Sequence, residues 1–421
     1  MTGVQTCALP IFLITTALLA GVFSYAGGFR VSLQGVKQLA MAHTSAHTED
    51  ASVAFFNPAG ISFIPNKLSV AVGGFGAITE VEYQSLETLQ SYKTEDPVGT
   101  PLYAAIAYKV TNNVSVGLSV TTPFGSTVKW ADDWTGREIV QKMELKSFYF
   151  QPMVSYKFND WASIGVSYIY AKGMVDWDKA VTNLGGTFNI NDEKATGSGF
   201  GLGFYLKPTT NLDLSIAYRS PVIMKADNGV ATFTGVPEAV LTSPQLNVGA
   251  DGQDAFTAEL PLVDEYTIGL TYKITPKWLV SADFNYHGWE RYSKLTLDFE
   301  NAQVGNQADK TVLVSPKNFK NAKTFRIGTQ YMLTDKLAGR LGYYFDESPY
   351  EDKYFIPETP SFDASVFTAG LGYKFGKLGV DLAAALSFPE ARKVNNDFLS
   401  FRGQAKAKAM YLGLGFTYNA F

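Results

Sequence analysis

Residues 378–388 read LGVDLAAALSF, and the period of that stretch decides the fold. Leu378, Val380, Leu382, Ala384, Leu386 and Phe388 make one apolar row, while Gly379, Asp381, Ala383, Ala385 and Ser387 make a small or polar one. Strand side chains alternate faces with period two, so the run reads as a strand with one face against apolar surroundings. The pattern recurs. Val114, Val116, Leu118 and Val120 oppose Ser115, Gly117, Ser119 and Thr121; Leu212, Leu214, Ile216 and Tyr218 oppose Asp213, Ser215, Ala217 and Arg219. At 278–287, Trp278, Val280, Ala282, Phe284 and Tyr286 oppose Ser281, Asp283, Asn285 and His287. A soluble sandwich would also alternate. Here the polar-side residues are often Gly, Ala and Ser, and the apolar rows begin or end in Tyr, Trp or Phe, as a barrel with an aromatic girdle at each lipid–water interface requires.

The connections alternate in length. Short turns fall near Thr111-Asn112-Asn113, Asn159-Asp160, Pro208 to Asn211, Thr275-Pro276-Lys277, Thr334-Asp335-Lys336 and Gly376-Lys377. Between them lie long polar connections at about 122–142, 226–258, 294–315, 346–361 and 389–405. Six short turns and seven longer loops predict about fourteen strands with both chain ends on the turn side, the periplasmic side of a bacterial outer-membrane barrel. The closing run from Gly415 to Phe421 is aromatic, as a final barrel strand is; a bulge near its end is expected, because Phe421 is out of phase with Leu412, Leu414, Phe416 and Tyr418.

Composition agrees with an all-β transmembrane antiparallel barrel. Of 421 residues 46% are hydrophobic, yet no long apolar block collects them; Tyr (23), Phe (30) and Gly (38) are heavily used and charge is 18%. A net charge of -4 offers no basic footprint for nucleic acid. The single cysteine, Cys7, leaves no disulfide framework and no thiolate site.

The amino terminus reads as an export address. Ile11 to Val22 is mostly apolar but too short for a membrane helix, which needs roughly 20 residues. Ser24 and Ala26 suit a cleavage site, so residues 1–26 are expected to be a removed signal peptide. Met1 to Pro10 lacks the usual Lys or Arg and reads as foreign sequence joined to a truncated signal. Residues 27–66 do not alternate and bend at Asn57-Pro58, where proline cannot donate to a ladder. A fourteen-strand lumen is too wide for its own side chains to fill, so this segment is expected to plug it (a hatch), with the barrel proper over 67–421.

At this point the chain resembles the FadL/TodX (OMPP1) family of outer-membrane transporters of long-chain fatty acids and hydrocarbons. The resemblance rests on an ordered series: Gly28-Phe29 at the mature start, Asp50-Ala51, Asn57-Pro58-Ala59 like that family's NPA motif, Pro123-Phe124-Gly125 like its strand kink, Trp134-Thr135-Gly136-Arg137, Pro152 to Lys157, Tyr218 to Pro221, and the closing Ala420-Phe421. It spans 27–421. It implies a hatch blocking the lumen, an inward kink in the third strand that opens the wall sideways, and ligand leaving laterally into lipid. Pro123 without an N–H and permissive Gly125 suit a broken ladder, although Pro123 ending a strand before a loop is the plainer reading. The resemblance places Asn57, Pro58 and Ala59 beside that gap.

Candidate residues follow. Phe29, Phe55, Phe56 and Phe124 offer apolar contact at low entropic cost. Arg137, Arg219 and Arg326 have the fork that fits a carboxylate headgroup, or they pair with barrel carboxylates and hatch groups. His43 and His47 sit four apart with Glu49 and Asp50 behind, yet no further His or Cys lies near, so an ordinary polar surface is expected and no metal or cofactor. Only His43, His47 and His287 exist, and no nucleophile pattern accompanies them, so no enzyme is expected. The expectation is a monomeric outer-membrane barrel in contact with outer-membrane lipid and lipopolysaccharide, passively taking up hydrophobic small molecules. A general porin for polar solutes, or a barrel used as an adhesin or receptor, are the alternatives.

Overall fold

The computed structural model describes residues 27–31, 34–42 and 44–420. The expected signal peptide, His43 and Phe421 lie outside them. Fourteen antiparallel spans close into one barrel. In chain order they are β1 (Leu68–Ser85), β2 (Leu102–Lys109), β3 (Val114–Thr121 and Gly125–Lys129), β4 (Lys142–Asn159), β5 (Ala162–Val181), β6 (Gly186–Leu206) and β7 (Leu212–Arg219 and Val222–Thr234). They continue with β8 (Gln253–Leu262 and Glu265–Thr275), β9 (Trp278–His287 and Lys294–Phe299), β10 (Val312–Pro316 and Ala322–Met332), β11 (Leu337–Asp346), β12 (Ala364–Phe375), β13 (Leu378–Pro389 and Arg392–Asn396) and β14 (Phe401–Ala420). A three-residue strand, Ser91–Lys93, folds back on β1 inside the first loop. Each span pairs with its chain neighbours, and β14 returns to β1 from Leu68↔Ala420 to Ser85↔Gly403, so the ring of strands closes. That seam carries no register shift, and Leu412, Leu414, Phe416 and Tyr418 all face outward. The expected bulge near the end of β14 is therefore absent over the described residues; the ladder fixes parity only as far as Ala420.

Alternation decides which face meets lipid. Along β8, Tyr266, Ile268, Leu270 and Tyr272 are exposed, while Thr267 and Thr271 between them are buried. Along β10, Phe325, Ile327 and Tyr331 are exposed and Thr324, Arg326 and Gln330 buried. The turns fall where expected, and so does the long connection at 346–361, which runs 347–363, but the other four are shorter than expected. Strands run into the stretches 226–258, 294–315, 122–142 and 389–405, leaving 235–252, 300–311, 130–141 and 397–400; β5 and β6 meet through 182–185 alone. The physical reason is that the ladder outlives the membrane. On β5 the outward row is Val166, Tyr168 and Tyr170, then turns to Lys172, Met174, Asp176 and Asp178 while pairing continues. Hydropathy alternation ends with the lipid; backbone hydrogen bonding does not.

Inside the barrel lies the segment before β1, with helix α1 (Val36–Ala40) and two 3₁₀ turns, Ala51–Phe55 and Pro58–Phe63. The Asp50 side chain caps the first turn from Ser52 N at 3.0 Å, and Asn57 caps the second from Ala59 N at 2.9 Å. Val36, Leu39, Val53, Ala54 and Ile61 pack on the inward rows at Phe75, Tyr103, Ala105, Met153 and Val366. Small inward residues let the backbones meet: a Cβ at Gly165 would strike the Pro58–Ala59 backbone, and one at Gly203 the Asn57 side-chain oxygen.

Candidate functional site

The third span breaks where the sequence placed Pro123 and Gly125. Thr121 pairs with Tyr149 and Gly125 with Lys146, so three residues of β3 oppose two of β4, one more than a regular ladder allows. On its other side β3 pairs with β2 as far as Tyr103↔Thr121, held there by Leu102 N to Thr122 Oγ1 at 3.1 Å, and then departs from it. The freed groups are taken up from inside. Val31 N donates to Pro123 O at 2.8 Å, Gly125 N donates to Phe29 O at 2.9 Å, and Arg30 bridges Phe124. The bend is an inserted residue stabilised by a short strand of the amino terminus, not a strand end before a loop.

Beside it the wall is open. A cavity of about 420 Å³ is lined by Val98, Leu102 and Phe148 on the outer side and by Tyr344, Asp346, Val366 and Tyr411, all on inward rows, on the other. Phe148, in the same outward row as the exposed Phe150, flanks this passage. Phe124 points inward and sits 6.1 Å, ring to ring, from Phe29, which meets Trp289 at 4.8 Å and Tyr292 at 5.9 Å. Burial holds the Tyr292 phenol above its usual range, so it stays neutral. Against Phe29 and Phe124 lies a second cavity, about 110 Å³, walled by Leu145, Met174, Trp177, Ile190, Met224, Phe256 and Leu262, with Lys146 its only charged lining residue.

Below the aromatic group a buried ionic network ties segment to wall. Arg30 lies 3.3 Å from Asp346 and 3.8 Å from Glu265; Glu265 is 3.8 Å from Arg219 and 3.2 Å from His287 Nδ1. His287 Nε2 faces Thr324 Oγ1 at 3.2 Å, and Thr324 donates to Asp346 at 2.5 Å.

The family model for outer membrane protein transport proteins (OMPP1/FadL/TodX) matches residues 17–420. The chain belongs to that family. Its members are transporters and channels of the outer membrane, and this is an outer-membrane protein. It is 24% identical to a Neisseria meningitidis serogroup B protein named as an outer membrane protein, over 97% of each chain. It is 25% identical to outer membrane protein P1 of Haemophilus influenzae, over 74% of this chain and 63% of that one. In fold it is similar to a Pseudomonas aeruginosa FadL homologue (TM-score 0.80, 19% identity, 94% of this chain and 100% of that one). It is also similar to the P. putida toluene transporter TodX (0.71, 16%, 92% and 99%).

In this FadL-family barrel the motif residues do not all share one place. Asn57 donates to Phe204 O at 2.9 Å and Ser215 Oγ at 2.8 Å, and Ala59 O accepts from Ser163 Oγ at 2.9 Å and Ser155 Oγ at 3.1 Å. The motif thus anchors on β4–β7 rather than at the gap. The residues that border Pro123 and Phe124 are the preceding pair, Phe55 and Phe56, whose rings meet edge-on at 5.3 Å. Two of the three arginines are spent on the segment. Arg219 donates to Phe55 O at 2.7 Å and stacks on its ring; Arg326 donates to Asn285 and to Ala42 O and lies on Tyr344. Arg137 sits in the connection 130–141, its carbonyl taken by Ala180 N, and borders neither cavity. Lys146, at the junction of both cavities, was missed because a single lysine in an outward row carries no signal in sequence. His47 lies 3.3 Å from Glu49, and the described residues contain no His, Cys, Asp and Glu group able to hold a metal.

Proposed function

We propose that this chain carries small hydrophobic molecules, fatty acids or hydrocarbons, passively inward, and that the break at Thr122–Phe124 is their lateral door. The observation that carries this is the passage through the wall beside Pro123, Phe124 and Gly125, adjoining an apolar pocket at Phe29 and Phe124. An apolar cargo gains contact there and never crosses the charged network below. Residues 27–66 act as the hatch, because their backbone closes the lumen while Phe29–Val31 hold the kink. Phe29 and Phe124 line the cargo pocket; Phe55 and Phe56 seal its base. An acidic headgroup would meet Lys146 first, with Arg219 and Arg326 reached only if the hatch carbonyls leave them; Arg137 would serve only at the outer surface. Residues 1–26 direct export, and the barrel works as a monomer amid lipid and lipopolysaccharide. The toluene transporters similar in fold support the hydrocarbon end of the range.

The test is uptake of labelled long-chain fatty acid and of labelled toluene by a host lacking its own transporter. Uptake of either, reduced by Phe124→Ala, is expected; no uptake of both, with no apolar ligand in the purified barrel, overturns the reading.

A further inference from the structure

Five of the six short turns are entered through a lysine on an inward row: Lys109, Lys157, Lys207, Lys273 and Lys374, at the ends of β2, β4, β6, β8 and β12. Four follow an exposed tyrosine of the girdle, Tyr108, Tyr156, Tyr272 and Tyr373. Lysines that serve only to reach lipid headgroups from a girdle occupy the outward phase, where they snorkel along the barrel. Here the outward phase is tyrosine, and the ammoniums face the turn-side mouth of the lumen.

Three of them converge on the end of the N-terminal segment. Lys109 Nζ donates to Pro65 O at 3.3 Å, while Lys207 and Lys157 Nζ stand 4.8 and 6.0 Å from the centre of the Phe63 ring. Phe63 is half-buried, packs on Tyr205 at 5.3 Å and carries the two ammoniums over its ring. Among the described residues, the carboxylates within ion-pair distance of these lysines are Asp160, Asp213 and Glu49. Asp160 is fully exposed and pairs with Lys157 at 2.9 Å, a solvated contact of little worth. Asp213 is shared between Lys207 at 4.0 Å and Lys273 at 3.9 Å, and Glu49, 3.9 Å from Lys374, is already bound to Lys37 at 3.0 Å. Among the described residues no carboxylate pairs with Lys109. Burial, opposed by Asp213 but reinforced by the like charges of Lys273 and Lys157, holds the Lys207 ammonium below its usual range. The mouth therefore carries uncompensated positive charge beside an apolar ring.

We propose that Lys109, Lys157 and Lys207 with Phe63 form a second binding site, for the headgroup of a single-chain anionic amphiphile. Its carboxylate or phosphate lies among the three ammoniums and its first carbons lie along Phe63. Two sources share this chemistry, a free fatty acid reaching the mouth from the turn side and a single-chain phospholipid of the periplasmic leaflet. The site lies at the opposite end of the hatch from the cargo pocket and does not depend on the cargo reading.

The test is equilibrium dialysis of the full chain in a neutral maltoside detergent with decanoate, lysophosphatidylglycerol, decanol and inorganic phosphate. Decanoate or lysophosphatidylglycerol is expected to bind at least about tenfold tighter than decanol and phosphate, and more weakly as salt rises. Preference for decanoate assigns the site to the fatty acid, preference for the lysolipid to the leaflet. The triple variant Lys109→Gln, Lys157→Gln, Lys207→Gln loses that binding, while Lys277→Gln with Lys336→Gln, turn lysines outside the inward row, keeps it. Heat-modifiable migration on gels reports an intact barrel in every variant. Where the triple variant fails that check, Lys157→Glu alone reverses the charge beside Phe63 and loses the same binding. Equal binding of decanol, equal binding of phosphate, or full binding by the substituted protein overturns the proposal.

Discussion

Asn57 shows how one side chain can decide where forty residues sit. Its amide spans two wall strands through Phe204 O and Ser215 Oγ while its oxygen caps the turn that follows. Asn57→Ala leaves buried partners unsatisfied and is expected to cost about 1–3 kcal/mol locally. Hydrogen exchange of the amides over 57–63 should speed accordingly, with the barrel amides unchanged. A second residue-scale expectation concerns acid. Burial alone would raise the Asp50 and Glu49 carboxyls, but the Lys37 ammonium, 2.5 and 3.0 Å away, holds both below the usual carboxylate range. Groups depressed on folding contribute stability above their unfolded pKa of about 4, and that contribution is lost as pH falls through the lower folded value. Exchange over 44–56, corrected for intrinsic rate, should therefore be level from neutrality to about pH 5 and rise below about pH 4. Asp50→Asn should flatten part of that rise.

Among the elements, β3 is the one with two lives. Below Thr121 it is an ordinary wall strand; from Gly125 on it keeps β4 but the inserted residue swings it from β2, and its free side meets Phe29 at Gly125 and residues 94–95 of the first loop at Lys129 and Trp130. Much of this was legible: Pro123 and Gly125 mark a broken ladder in any sequence. That the amino terminus supplies the missing partner was not legible, since Phe29–Val31 and Pro123–Gly125 are far apart in the chain and pair through backbone atoms that carry no side-chain code. The same distance explains why the NPA motif was expected at the gap and lies on β4–β7 instead. Wall glycines are the complementary part. Gly165→Val would drive Cβ into the Pro58–Ala59 backbone, and overpacking of this kind costs typically about 1–3 kcal/mol. Its expected signature is a hatch that loosens while heat-modifiable migration of the barrel on gels is retained.

For the whole molecule, wall and filling are separable. The ring of strands closes through its own pairing at the β1–β14 seam, whereas the segment adds apolar contacts, buried ion pairs and the short pairing at the β3 break on the inside. A chain lacking residues 27–66 should therefore still insert, and in planar bilayers it should conduct steadily where the full chain does not. A full chain with large steady conductance would favour a porin instead.

What the sequence alone determined was the barrel, its strand number and the position of every short turn, because period-two alternation and turn chemistry are local and each strand reports its own faces. Four of the five long loops were overestimated for the same reason: pairing above the membrane leaves no alternation to read. Only the tertiary structure decided which inward residues meet which parts of the N-terminal segment, that Arg219 and Arg326 bind its carbonyls, and that Lys146 stands where two cavities join. Those outcomes depend on how the ring of strands closes around a segment with no period of its own, and closure is a property of all fourteen spans at once.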